Sequence, residues 1–102
     1  PYLTFSVMLA AGLEGIEKGY KIPDPIEENV YEMSEQERVS RGIDTLPASL
    51  SEAVKLTENS ELVRKALGEH VFSNFIANKK LECDQYRLQV TDYELQRYLP
   101  IL

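Results

Sequence analysis

Apolar residues at the start of the chain first follow helical spacing and then overrun it. Leu3, Val7, Ala10 or Ala11, Leu13 and Glu14 trace helical steps between Tyr2 and Lys18. Phe5, Met8, Leu9 and Ile16 fill most of the other faces. A helix that is apolar nearly all round is one buried on several sides. Gly12 and Gly15 each cost such a helix about 1 kcal/mol relative to alanine, and close approach of a neighbouring backbone is one way to offset that. Pro1 suits the first helical position, yet no Ser, Thr, Asp or Asn precedes it as a cap. The expectation is therefore a cut piece whose first helix continues from, and packs against, something upstream.

The polar punctuation predicts the rest. Pro23 and Pro25 push the residues before them out of the helical region, so Gly19 to Met33 reads as an extended loop, pinned by Ile22, Ile26, Val30 and Tyr31. Ser34-x-x-Glu37, Ser49-x-x-Glu52 and Thr91-x-x-Glu94 each match the capping box, in which hydroxyl and carboxylate satisfy two orphan N–H groups reciprocally. They predict helices at about 35–41, 50–58 and 92–98, with Gly42 closing the first. Ser60 caps a helix from Glu61 to Leu67, which Gly68 ends. A long helix then runs from Glu69 to about Val90. Its inner stripe is Val71, Phe72, Phe75, Ile76, Lys79, Cys83, Tyr86 and Val90, and its outer face is polar from Asn78 to Gln85. No strand alternation and no repeat is present. The predicted fold is mainly α, a single unit over residues 1–102 with one Pro-containing loop and no complete sheet.

Composition narrows the function classes. A chain of 102 residues holds one modest core, and 43% hydrophobic with 27% charged residues is an ordinary globular mixture. The net charge of −6 argues against nucleic acid as a partner. The longest apolar run, Phe5 to Gly15, is far short of the roughly 20 residues that span a bilayer. The single cysteine, Cys83, excludes an internal disulfide, and with no secretory signal a reduced, cytoplasmic setting is expected.

Candidate chemistry is sparse. His70 is the only histidine and stands 13 residues from Cys83, too little for a zinc site wanting three or four ligands. Cys83 lies on an apolar stripe and reads as a small buried hydrophobe. The acids at Glu27-Glu28 and Glu35 to Glu37 sit in loops and first helical turns, where capping accounts for them. There is no phosphate-cradling glycine loop and no Ser-His-Asp spacing. The residues thus assign no catalytic, cofactor-binding or metal-binding role.

Five segments, taken in order, carry a resemblance that single motifs do not. They are PYLTFSVMLAAGLEGI at 1–16, PIEENVY at 25–31, LPASLSEA at 46–53, LGEHVF at 67–72 with Phe75-Ile76, and the closing run from Asp84 through Thr91 and Glu94 to Tyr98. Together they resemble the C-terminal part of type I glutamine synthetase, in its Bacillus-like and archaeal branch, over essentially the whole chain. The resemblance implies the helical C-terminal portion of that catalytic domain, behind a sheet that lies upstream. It implies an ATP-dependent ligation of ammonia to glutamate in the parent enzyme, with Mg²⁺ or Mn²⁺ held by glutamates outside this chain. It also implies a dodecamer of two hexameric rings, with Tyr98, Leu99, Pro100, Ile101 and Leu102 lying against another subunit. The chain alone is expected to be inactive, to act as structural and oligomerisation support, and to self-associate. In one branch of the family the tyrosine matching Tyr31 is modified with AMP. Here Glu32-Met33-Ser34-Glu35 follows it and departs from the regulated pattern, so Tyr31 reads as a structural loop residue. The rival class is a free-standing helical protein-interaction module, which should instead carry a polar face on its first helix.

Overall fold

The computed structural model describes residues 1–102 and contains helices and turns but no strand. Its helices are α1 Tyr2–Lys18, α2 Glu35–Ser40, α3 Leu50–Glu58, α4 Glu61–Leu67, α5 Glu69–Arg87 and α6 Asp92–Tyr98, followed by a 3-10 turn over Leu99–Ile101.

The starts are set by hydroxyl caps. Ser34 Oγ accepts from the Glu37 N–H at 3.3 Å while the Glu37 carboxylate accepts from the Ser34 N–H at 3.0 Å. Thr91 and Glu94 repeat this at 3.3 and 2.7 Å. At α3 only half of the box forms. Ser49 Oγ accepts from the Glu52 N–H, but the Glu52 carboxylate takes the N–H of Ala48, one residue further back. Ser49 is more extended there, with φ −141° against −66° at Ser34, which accompanies the switch of donor. Ser60 caps α4 by accepting from the Val63 N–H.

Glycines set the stops. Gly19 at φ 62° lets the Tyr20 N–H reach back to the Gly15 carbonyl at 3.0 Å, and Gly42 at φ 68° lets Ile43 reach Arg38 at 2.9 Å. Both are Schellman closures that use left-handed backbone. Gly68 differs. Its φ of 74° and ψ of 155° lie in a region open only to glycine, and in that single residue the chain leaves α4 and enters α5. Arg64 and Glu69 brace the pivot, with Arg64 Nη1 2.9 Å from both Glu69 carboxylate oxygens.

The core is small. Only Val54 of α3 and Phe72 and Ile76 of α5 are buried, with Val63, Leu67, Phe75 and Cys83 packed around them. Helices α3 and α4 pack on α5, and α1 packs on α4. The expected stripe of α5 holds for Phe72, Phe75, Ile76, Lys79 and Cys83, whereas Val71, Tyr86 and Val90 are exposed. Val71 lies in the first turn of α5 and Val90 beyond its end, while Tyr86 stands at the rim of an open cleft that the last turns of α5 share with Ser49, Leu50 and Ser51 at the start of α3. The helix also ends at Arg87 rather than Val90, because Thr91 must be extended to cap α6 and Leu88 to Val90 provide the reversal.

Two sequence expectations about packing are not met within the chain. Helix α1 has no buried residue, and Ile22, Ile26 and Tyr31 of the loop are exposed, leaving Val30 half-buried. In both cases the cause is the same: the surrounding helices are too few and too short to cover these residues. A compact monomer of 11.7 kDa exposes roughly 5,900 Å²; this chain exposes 9273 Å². Its radius of gyration is 18.9 Å, where a compact domain of this length has about 13 Å.

Substitutions should separate the pivot from the open helix. Phe72→Ala removes the centre of the core and is expected to cost about 3–5 kcal/mol, and Gly68→Ala about 1–3 kcal/mol from backbone strain. Gly12→Ala, where an added Cβ meets nothing within 4 Å, should stabilise the isolated chain by up to about 1 kcal/mol. Urea titration followed by far-UV circular dichroism reads all three. An unchanged midpoint for Gly68→Ala would contradict the pivot.

Candidate interaction surface

The residues with chemical potential do not converge. His70 is exposed in the first turn of α5, while Cys83 sits half-buried four turns further on against the core. No three His, Cys, Asp or Glu side chains gather where they could hold a metal ion. The best-defined polar cluster is the α4–α5 pivot. There Arg64 lies 4.3 Å over the Phe72 ring, and Ser73 Oγ donates to the Glu69 carboxylate at 2.8 Å. The Arg64 hydrogen bond, then that of Ser73, holds Glu69 below the usual carboxylate range, and Glu69 in turn raises Arg64. Every partner in this cluster is satisfied by another, so it braces the turn and leaves no free group to act on a substrate.

The same holds for the other perturbed groups. Glu37 and Glu94 are lowered by the backbone and side-chain hydrogen bonds from Ser34 and Thr91, which is capping. Glu28 reaches Arg41 at 2.9 Å and raises it, tying the loop to the end of α2. Lys80 pairs with Glu58 and links α5 to α3. These are exposed pairs of small energetic weight.

What the structure does present is apolar surface in three places. The first is α1, with Phe5 67% and Ile16 80% exposed. Between α1 and the α4–α5 pair lies an open groove of about 300 Å³, lined mostly by apolar residues including Leu3, Val7, Val63 and Phe75. The second is the tail, where Tyr98, Leu99, Ile101 and Leu102 are all exposed around the 3-10 turn that packs on α6. The third is the 19–33 loop. At its end Tyr31 is 95% exposed in a turn closed by Asn29, whose Oδ1 accepts the Tyr31 N–H at 3.2 Å. The structure thus places Tyr31 and the five tail residues at the surface and leaves each free to meet another molecule. It does not build them into a site with a third group. Sequence reading missed the Arg64–Glu69–Phe72 brace, for which the only signal was a basic and an acidic residue flanking Gly68.

Known protein families give this surface its context. The catalytic domain of glutamine synthetase matches residues 1–98. The chain belongs to that family. It is 52% identical to a glutamine synthetase of Mycolicibacterium smegmatis over 99% of this chain. It is 48% identical to one of Clostridium saccharobutylicum and 46% identical to one of Methanocaldococcus jannaschii, each over 97% of this chain. The chain spans 23% of the length of the first of these relatives and 22% of the other two, in their C-terminal part. No helix of the chain is long and apolar enough to cross a membrane.

The lowered carboxylates set a pH dependence with a definite sign. Glu37, Glu69 and Glu94 have folded-state pKa values below the ordinary 4.5. The stability they contribute is complete above that value and is lost as the pH falls through the lower folded values. Helical circular dichroism of the isolated chain, with its urea midpoint, should therefore be flat near neutrality and decline below about pH 4.5. A midpoint that rose on acidification would contradict the capping assignment.

Proposed function

We propose that this chain forms the C-terminal helical part of a type I glutamine synthetase subunit, and that it supplies scaffold and subunit contacts instead of catalytic groups. The supporting observation is the combination of 52% identity along 99% of the chain with a surface of 9273 Å². The chain carries the sequence of the family but cannot bury its own apolar helices.

In this reading the parent enzyme is cytoplasmic and joins ammonia to glutamate using ATP and Mg²⁺ or Mn²⁺. The residues of this chain do not fit either cofactor. No acidic, His or Cys side chains converge in threes, and both Gly12 and Gly15 lie inside a helix, away from any phosphate loop. The glutamates that hold the ions belong to the upstream sheet, and residues 1–102 act as one supporting unit behind it. Helix α1 lies against that sheet and the groove beside α4 receives its side chains. Other subunits of a double-ring dodecamer meet the tail. Tyr31 is an unmodified loop tyrosine, because the acidic residues after it differ from the pattern of the AMP-regulated branch.

Deletion of Tyr98 to Leu102 from the full-length enzyme tests the tail. Ring pairing should weaken, with single hexamers appearing in sedimentation velocity, while glutamine formation per hexamer stays within about threefold, since no tail residue touches the chemistry. An intact dodecamer would remove the tail from the contact. Intact mass of the same enzyme from nitrogen-replete cells should show no AMP on Tyr31, and an adduct there would make it a regulatory site.

A further inference from the structure

We draw no further inference here: the strongest candidate, the open cleft of about 560 Å³ between the start of α3 and the last turns of α5, lined among others by Leu50, Cys83, Tyr86 and Arg87, holds a lone cysteine among exposed side chains, and nothing in the structure shows what covers it.

Discussion

The packing of Phe72 and Ile76 of α5 against Val54 of α3 is the contact on which the remaining order depends. It joins α3, α4 and α5 into a small wedge, with Gly68 as the hinge and Arg64–Glu69 as its brace. Only three of 102 residues are buried, all of them in this wedge, so α1, the loop and α6 have no buried core of their own. Those parts keep their local structure through caps and helix hydrogen bonds. Their positions await apolar surface supplied from outside the wedge.

That division explains which features were legible in the sequence. Helix starts were, because Ser34, Ser60 and Thr91 act on N–H groups three residues away and need nothing distant. The extent of α1 and the stop at Gly42 were legible for the same reason. The placement of Glu52 on Ala48 was not, since it goes with a more extended backbone at Ser49 that the Ser-x-x-Glu motif does not encode. The coverage of Val71, Tyr86, Ile22 and Tyr31 was not legible either. Apolar character tells that a residue is destined for burial, and it does not tell which molecule does the burying.

The functional surface follows the same logic. Each lowered carboxylate is already engaged by a cap or an arginine. What sequence and structure both point to is surface: an all-round apolar helix, an apolar tail and an exposed loop. Membership of the glutamine synthetase family turns that surplus into an expectation about neighbours, since the relatives are more than four times longer than this chain. A fold that looks unfinished in isolation is reasonable as one layer of a larger domain.

Fragment complementation tests this account most directly. The Mycolicibacterium smegmatis relative, truncated just before the segment that matches this chain, would be refolded with and without the 102 residues. The account predicts that the two pieces co-sediment, that amide exchange in α1 slows on mixing, and that ATP-dependent glutamine synthesis returns only in the mixture. If the chain stayed separate, with α1 amides already protected when it is alone, it would be a self-sufficient helical module and the scaffold role would be wrong.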